Sequence, residues 1–544
     1  MANRQGPYNL TIDGNILDDA IISRLEVRQE LGAHYWLDIE FSLHRHQQPP
    51  VASYLGKSIE FSIIDDSGSE SQIFTGLAIE AELEYGFRRE TIAKVRGVTN
   101  SFKLQLTPEE NYFYQHNLQQ VASRIFDEDG VELQFSVKGE CAVMNYVQWG
   151  ESDFDFVRRI ADDQGCFIRP TPKGVEIRRG FDDNAAQTLR WPHERELMSF
   201  SIKGRLGQPS MKGCCYDPRT MESRHFSEVK KAPQFFNETA PDIIGAVLEH
   251  SNQLPPDRLI FDGRAPKIES YNSLLEKESQ RAIGSKIVGV GVSRNSRLKP
   301  GDKIRIEGSD FGAQGDYGLI GVVHRYEHSA GYINEFTATP WMDYTCAEQP
   351  QPNRMSGVVS ARVVKHEDGR GMGRIQIKYD WMEDGRTAWA RMTTPSAGGG
   401  RGIMFMPEVG DEVLVAFEHG DPERPYVIGA LWNGVDSAPR QGFLDGETSH
   451  PVGRDGLQMP GDVFRNDIKR IVTKSGNRIQ LVDVGGKESI VISTPGGQMV
   501  QLIDSCPETG GRKMLCLNSP GDIFLNAPEG RVHIRSKFFS RETG

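Results

Sequence analysis

The chain has 544 residues, enough for about three or four domains at roughly 150 residues each. Hydrophobic residues make up 38% and charged residues 25%, with 57 glycines and 29 prolines, which favours a polar, turn-rich globular protein over a disordered or membrane-embedded one. The 63 Lys and Arg against 75 Asp and Glu leave a net charge of −12, which opposes general binding to nucleic acid or anionic lipid.

The cysteines and the start of the chain indicate the compartment. The seven cysteines include no Cys-x-x-Cys pair and predict reduced thiols. No signal-peptide layout opens the chain, and no uncharged apolar run approaches the roughly 20 residues needed to cross a bilayer. We therefore expect synthesis in the cytoplasm and export, if any, by a machine that needs no signal peptide.

The first 350 residues are predicted to be mainly strands with short helices. Residues 1–110 alternate apolar and polar side chains, which predicts antiparallel strands with one solvated face. Asn117 and Ser152 are predicted to cap two helices, and residues 271–283 read as a third. The stretch 214–260 reads as irregular, and strands return between Ile287 and Thr339.

Residues 355–434 predict a small closed barrel, and a Pro/Gln-rich break at 348–353 separates it from the preceding region. Five strands in about 80 residues are typical of an OB-like barrel. They are predicted near 358–364, 374–381, 388–392, 412–417 and 425–432.

After a polar stretch over 435–466, the last residues contain a repeated unit. The segments beginning at Ile490, Leu515 and Ile523 share the pattern apolar, any, apolar, small polar, small, Pro. Strands with only two apolar side chains cannot bury them alone, so the repeat predicts a prism in which three copies of the chain wind around one axis. The alternative is an ordinary β domain that folds back on its own chain. Phe524 is predicted to face outward, and the predicted axial core comprises Ile490, Ile492, Leu515, Leu517, Ile523, Leu525, Val532 and Ile534.

Five segments of the chain resemble one known family. The barrel stretches 388–402 and 407–433 are similar to the OB domain of VgrG proteins, which are spike proteins of contractile injection systems. Gly373–Ile377, Ser475–Ile479 and Gln148–Phe156 match the same family elsewhere in the chain. The barrel residues that carry the resemblance are Pro407, Gly410, Asp411, Phe417, Gly420, Asp421, Pro422, Pro425, Gly429 and Trp432.

The residues of this barrel motif are predicted to shape the backbone. Asp421-Pro422 pre-sets a turn, while Gly420 and Gly429 are predicted to allow backbone geometry or a close approach that a side chain would block. The motif contains no reactive constellation.

The resemblance implies a mainly β architecture in four parts. These are a phage-baseplate-hub-like region over 1–350 with two β modules and short helices, an OB-fold domain over 355–434, a connecting arm over 435–466, and a triple-stranded β-helix needle of a homotrimer over 467–544. The blocks 1–110 and 165–345 would give each chain two docking modules, hence six for a hexameric tube.

The resemblance also implies partners and a location. The N-terminal region would bind the hexameric tube or a tube initiator, other baseplate proteins would join it, and a PAAR-type tip protein would cap the C-terminal end. Effector cargo would travel with the spike, which meets the target membrane only transiently. Made in the bacterial cytoplasm without a signal peptide, the protein would enter the injection particle and leave the cell on firing.

No catalytic, cofactor or metal site is predicted. The chain has no Gly-x-Ser-x-Gly or His-Glu-x-x-His sequence, and the pairs His44/His46 and His324/His328 lack further ligands and read as solvated. About 33 residues between barrel and needle are too few for the lysozyme that some phage spikes carry there, and the chain ends in or just beyond needle-like sequence without an effector domain. A phage tail spike with cell-wall-degrading activity is therefore the less favoured alternative.

A nucleic-acid-binding OB protein is the competing functional class. Tyr379, Trp381 and Trp389 would be its stacking platforms. The acidic residues of the barrel and the net negative charge oppose this alternative.

Overall fold

In a computed structural model of the protein we describe residues 7–17, 20–42, 53–65, 68–85, 91–194, 196–217, 220–260, 268–308, 312–345, 350–382, 385–435, 468–483, 486, 488–504 and 513–537. The chain divides into two compact units, residues 1–431 and 432–544. No helix in the described ranges is long and apolar enough to cross a membrane.

The first unit begins with a strand-rich N-terminal region. Its first elements are β1 (Tyr8–Ile12), β2 (Asn15–Ile16), β3 (Ile21–Glu30), β4 (Trp36–Ser42), β5 (Ser58–Ile64), β6 (Glu70–Tyr85), β7 (Thr91–Val98), a 3-10 helix (Asn100–Gln105) and β8 (Pro108–His116).

Two helices and several short strands follow. They are α1 (Leu118–Glu128), β9 (Glu132–Ser136), β10 (Met144–Ser152), α2 (Asp153–Asp163), β11 (Phe167–Pro170), β12 (Gly174–Arg178), β13 (Gln187–Arg190) and β14 (Ser199–Gly204). Both predicted caps are confirmed, because Asn117 accepts a hydrogen bond from the Gln120 amide and Ser152 accepts one from the Asp155 amide.

The third part of the region corrects one expectation. Its elements are β15 (Ser210–Asp217), β16 (Glu222–Lys230), α3 (Pro241–Ser251), β17 (Asp257–Ile260), α4 (Ile268–Gly284), β18 (Ile287–Ser293), β19 (Lys303–Glu307), β20 (Gly315–Glu327) and β21 (Gly331–Thr339). The prediction of irregular structure over 214–260 is therefore wrong. A helix near 271–283 is confirmed as part of α4.

The two strand-rich blocks of this region share one sheet. Among the described residues its order is β14-β18-β21-β20-β3-β4-β7-β6-β5-β1-β2, with β13 and β19 branching from β20. The pairing of β20 with β3 joins two hydrophobic cores, one containing Leu37, Phe41 and Phe61 and the other Ile304 and Phe336. The blocks are thus continuous through one backbone ladder.

Buried polar side chains connect β3 and β20 between the two cores. His324 of β20 hydrogen-bonds Gln29 of β3 at 3.3 Å and the Tyr332 hydroxyl at 2.6 Å. Gln29 in turn donates to the Ile73 carbonyl at 2.6 Å. Burial lowers the pKa of His324 to about 3, so the expectation of a solvated histidine at this position is wrong.

The barrel prediction is confirmed. The elements are β22 (Val358–Lys365), β23 (Arg374–Tyr379), β24 (Ala390–Met392), β25 (Ala397–Gly398), β26 (Arg401–Gly402), β27 (Glu412–Phe417), a 3-10 turn (Glu418–Gly420) and β28 (Pro425–Ala430). Strands β22, β23, β24, β28 and β27 close in that order. Their inward side chains, including Ile375, Ile377, Val413 and Val415, form one core.

The barrel is joined to the N-terminal region by one continuous contact. Tyr112 of β8 packs against the barrel core, and its hydroxyl accepts a hydrogen bond from the Ala388 amide at 2.7 Å. Trp149 of β10 lies 5.8 Å from Trp381, measured between ring centroids. Both sides of the contact therefore supply aromatic rings.

A β-bulge in the Gln148–Phe156 motif forms part of the same contact between the barrel and the N-terminal region, which we call the joint. At Gly150 the backbone is left-handed (φ 56°) and the β8–β10 register shifts. The exposed Asn353 amide donates to the carbonyls of Trp149 (3.2 Å) and Gly150 (2.8 Å). Buried Gln148 donates to the Asp153 carboxylate at 2.7 Å, which fixes the start of α2 next to the bulge.

The second unit contains an antiparallel meander of five short strands. They are β29 (Ile468–Val472), β30 (Arg478–Val482), β31 (Ser489–Ser493), β32 (Met499–Ile503) and β33 (Met514–Asn518), paired in sequence order. Residues 519–537 form no strand within the chain. Apart from Val435, the predicted connecting arm over 435–466 lies outside the described residues.

The buried histidines predict acid sensitivity of the N-terminal region. His34, which contacts Phe154 and hydrogen-bonds Ser101, has a pKa lowered to about 4 by burial, as that of His324 is lowered to about 3. In the unfolded chain both protonate near pH 6.5, so the unfolded state binds more protons between pH 6.5 and 4. The free energy of unfolding should fall across that range by on the order of 3 kcal/mol per histidine at pH 4.

Urea unfolding at pH 7 and pH 4 checks this expectation. The double variant His34→Gln, His324→Gln should lose much less stability on acidification than the wild type. His328→Gln, at an exposed position beyond the end of β20, is the control and should retain the wild-type pH dependence. If the double variant kept the wild-type pH dependence, His34 and His324 would not be the source of the acid sensitivity.

The geometry of the joint predicts that the Tyr112 hydroxyl stabilises the barrel. Tyr112→Phe keeps the ring and leaves the Ala388 amide without its acceptor. The free energy of unfolding should therefore fall by about 1–3 kcal/mol. Hydrogen exchange of the Ala388 amide should accelerate accordingly. Tyr114→Phe is the matched control, since the Arg386 guanidinium lies over the Tyr114 ring, which the substitution keeps. Equal exchange rates in both variants would refute the role given to the Tyr112 hydroxyl.

Candidate functional site

The C-terminal sheet presents an exposed apolar face made of two cross-strand rows. Antiparallel register aligns alternate residues of neighbouring strands on one side of a sheet. The first row is Leu481, Ile490, Leu502 and Leu515, and the second is Ile479, Ile492, Val500 and Leu517. We call these eight residues the apolar face.

In the part of the chain that the structure describes, no segment covers this apolar face. Its eight side chains are 36 to 64% exposed. Its first row lines an open groove of about 580 Å³ together with Asp483, Asp504 and Lys513. Lys513 pairs with Asp504 at 2.8 Å, and Lys469 pairs with Asp483 at the same distance, so charges border the row at the strand ends. An apolar centre with a charged rim is typical of a surface that binds another protein.

The opposite face of the same sheet is buried although it is partly polar. Gln480, Val491 and Gln501 lie in one cross-strand row and are almost inaccessible to solvent. Arg470 donates to the Gln480 side chain at 2.7 Å. Cys516 continues this row as a free, half-buried thiol and so lies on the side away from the apolar face. The chain therefore covers the mixed side of the sheet and exposes the apolar one.

The structure brings together four of the eight predicted core residues. Ile490, Ile492, Leu515 and Leu517 lie on the apolar face, with Ile490 and Leu515 in one row and Ile492 and Leu517 in the other. The remaining predictions, Ile523, Leu525, Val532 and Ile534, are exposed in the segment without strands. Leu525 is 65% exposed and Phe524 is 86% exposed. In a single chain, therefore, neither side chain points inward.

Four members of the apolar face were missed in the sequence. Ile479, Leu481, Val500 and Leu502 stand on β30 and β32, where the proline of the repeated unit is absent. The signal that could have found them is the apolar-x-apolar spacing alone. The predicted axial core is therefore a partial list of the exposed apolar residues in this unit.

The barrel motif forms turns. Gly410 is left-handed (φ 102°), and the Asp411 carboxylate accepts a hydrogen bond from the Glu408 amide at 2.8 Å, just after Pro407. Gly420 is also left-handed (φ 76°), and a Cβ there would lie 3.3 Å from the Met355 carbonyl oxygen. These contacts give both glycines a conformational role.

The rest of the motif continues the second turn into β28. The buried Asp421 accepts a hydrogen bond from the Glu423 amide at 3.0 Å and precedes the buried Pro422. Phe417 pairs with Pro425 across β27 and β28. A Cβ on Gly429 would meet open space, and its backbone is not left-handed, so the requirement predicted there is wrong. Trp432, beyond the end of β28, is largely exposed.

The aromatic residues proposed as nucleic-acid platforms are engaged within the protein. Tyr379 is buried and stacks on Trp381 at 4.9 Å, and burial raises its pKa. Trp389 is half-buried, with the Arg374 guanidinium over its ring. Tyr379 therefore offers no face to a base.

Ionisable groups in the described ranges show no metal-binding arrangement. No three His, Cys, Asp or Glu side chains in those ranges are placed to hold a metal ion. His44 and His46 lie outside the described residues, and His324 is enclosed by protein groups.

Comparison with known proteins locates two domains in the chain. Residues 29–191 match the family model of the phage tail baseplate hub, and residues 359–432 match that of the type VI secretion system/phage-baseplate injector OB domain. The second match coincides with the closed barrel. The first covers most of the strands and helices before β14.

Curated relatives and a solved structure agree with these matches. Type VI secretion system spike protein VgrG4b of Pseudomonas aeruginosa is 25% identical over 72% of this chain and 52% of its own length. VgrG1b of the same species is 21% identical over 88% of this chain and 66% of its own length. The chain thus spans about half to two thirds of these relatives.

A Francisella PdpA-VgrG complex shares the fold, with a TM-score of 0.59 at 9% identity over 94% of this chain and 80% of that one. The predicted resemblance is confirmed: this chain combines the baseplate-hub and injector OB domains found in VgrG-type spike proteins.

Proposed function

We propose that this chain is a structural spike of a contractile injection system that works as a homotrimer. The observation that carries the proposal is the apolar face of the C-terminal sheet. Eight apolar side chains in two rows would be stable in water only if covered, and three copies of the same sheet would cover one another around an axis. The proposed parts are the hub-like region over 1–350, the OB domain over 355–434, the arm over 435–466 and the needle over 467–544.

The proposed partners rest on the similarity to VgrG spike proteins. The N-terminal region would bind the tube and baseplate, the C-terminal end would hold a PAAR-type tip, and effectors would be delivered when the spike punctures the target membrane. The two cores of the N-terminal sheet support a ring with six docking modules per trimer. The role is mechanical, and no chemical step is assigned to the chain.

Light scattering of the purified chain tests the trimer. The expected mass is three times 60.9 kDa. A stable monomer with protected amides in β29–β33 would refute the proposal, because the apolar face would then be stable without a partner.

A charge on the apolar face should abolish trimer formation. Leu502→Asp would place three carboxylates in one dry layer, where each loses hydration at a cost of several kcal/mol and faces two like charges. We expect monomers at pH 7 by light scattering, and partial recovery of trimers at pH 4, where the carboxyls are protonated.

Ser475→Asp is the control for Leu502→Asp. Ser475 is exposed in the turn between β29 and β30, where a carboxylate stays hydrated. This variant should remain trimeric. Monomers in both variants, or trimers in both, would show that the apolar face is not the interface.

The segment after β33 gives a second, independent pair of variants. If Leu525 faces the axis and Phe524 faces out, Leu525→Asp should fray the C-terminal end and prevent tip binding, because its three carboxylates share one layer. Phe524→Asp should leave both unchanged. Hydrogen exchange over 513–537 and co-purification of a PAAR-type protein are the measurements. Equal effects of the two substitutions would show that the predicted direction is wrong.

A further inference from the structure

The segment that follows the last barrel strand contains the one Asn-Gly pair of the chain, Asn433-Gly434. It lies just after the boundary between the two compact units, which falls between Leu431 and Trp432. Asn433 is half-buried, Gly434 is exposed, and Val435 is 89% exposed. The pair is therefore accessible to water at the point where the chain leaves the barrel.

A short turn holds the Asn433 side chain against its own main chain. The Val435 amide donates a hydrogen bond to the Asn433 side-chain carbonyl oxygen, Oδ1, at 2.8 Å. This Asx turn keeps the side-chain carbon Cγ next to the intervening Gly434 nitrogen. A hydrogen bond to a carbonyl oxygen also stabilises the negative charge that develops there when a nucleophile adds to the carbon. The turn therefore both orients and activates the Asn433 amide.

Gly434 leaves the approach to Asn433 Cγ open. A Cβ placed on Gly434 would meet no atom within 4 Å, so no neighbouring group packs against this residue. Gly434 follows the end of β28 and belongs to no strand, so its nitrogen is not held in a ladder. Glycine also has the widest choice of backbone conformations. Its nitrogen can therefore turn towards Cγ at little steric cost.

We propose that Asn433 is a site of spontaneous deamidation and backbone isomerisation, assisted by the Val435 amide and with water as the co-reactant. The Gly434 nitrogen attacks Asn433 Cγ and forms a new C–N bond. The bond from Cγ to Nδ2 then breaks, and the side-chain nitrogen leaves as ammonia with the proton from the Gly434 nitrogen. The product is a five-membered succinimide ring, and no electrons are gained or lost.

Water then opens the ring at either of its two carbonyl carbons. Addition at Cγ breaks its bond to the Gly434 nitrogen and gives an ordinary aspartate. Addition at the backbone carbonyl carbon leaves that nitrogen bonded to Cγ and gives an isoaspartate. In both cases the hydroxyl of water goes to carbon and its proton goes to nitrogen. The isoaspartyl chain has one more main-chain bond and a new carboxylate where it leaves the barrel.

Peptide mapping of the full-length folded chain by mass spectrometry tests the site. The chain is incubated at pH 8 and 37 °C, and the conversion of an NH2 group into OH is followed with time, together with the chromatographic separation of the two isomers. Asn477 is the internal control, because it is exposed in a turn but precedes Arg478, whose backbone belongs to the β29–β30 ladder. We expect Asn433 to react faster than Asn477 by about tenfold or more.

Variants at Val435 test the assistance by the turn. Val435→Pro removes the N–H that Asn433 Oδ1 accepts, whereas Val435→Ala keeps it. In the folded chain, deamidation of Asn433 should be about tenfold slower in Val435→Pro than in Val435→Ala. This is less than the loss of a donor in a dry active site, because the hydrogen bond is exposed to water. In urea, where the turn is absent, both variants should react at one rate.

The outcomes separate the modification from its assistance and from the proposed spike. An Asn433 that keeps its amide as long as Asn477 does would overturn the modification site. Equal rates in the two folded variants, or a deficit of Val435→Pro that persists in urea, would overturn the role of the Val435 amide. The chemistry needs only one folded chain and water, so these results leave the proposed trimer to its own tests.

Discussion

The C-terminal sheet carries an apolar face that the described residues of its own chain leave open. An antiparallel sheet with one solvated face ordinarily turns its apolar side to the core and its polar side to water. Here the chain covers Gln480 and Gln501 and exposes the rows that contain Ile490 and Leu502. Full burial of a Leu or Ile side chain contributes roughly 1.5–3 kcal/mol. Since each of the eight is already partly buried, the available gain is on the order of 10 kcal/mol per chain, comparable with the entropic cost of association.

The N-terminal region solves the covering problem within one chain. Its long sheet has two cores on the β3–β20 ladder, while the outward face of β3, β4 and β7 carries charged side chains. Arg96 pairs with Asp38 at 2.7 Å and Arg325 with Glu26 at 3.2 Å. The exposed Arg96–Asp38 pair stabilises the fold little, but a one-residue slip of register would bring all these charges to the core side. The main effect of the charged face is therefore to fix the pairing register of the strands.

Local signals were sufficient where an element depends on nearby residues. The two capped helices and the five barrel strands follow from Asn117, Ser152 and strict alternation. Helix α3 was missed because the residue that precedes it, Ala240, is left-handed and makes no side-chain cap. Strand β17 was missed because it pairs in parallel with β15 across an intervening helix, so nothing local specifies it.

Long-range contacts explain the errors at single positions. The environment of His324 is set by Gln29, 295 residues away in sequence, and the joint depends on Asn353, whose partners are about 200 residues earlier. Ile479 and Val500 belong to the apolar face because of cross-strand register, although the repeated proline unit does not include them. Sequence periodicity predicted which side chains share a face of a strand. It did not predict which strands would align.

The contacts within the first unit determine how a load would pass through it. Tyr112 belongs to the β8 ladder of the N-terminal region and also packs into the barrel core, so the barrel cannot rotate without disturbing that core. The Asn353 amide binds two consecutive carbonyls at the Gly150 bulge, which holds the chain entering the barrel. Because these contacts combine aromatic packing with backbone hydrogen bonds, they resist both tilt and twist. If the chain works as the proposed spike, this joint would let the barrel and the N-terminal region carry force as one body.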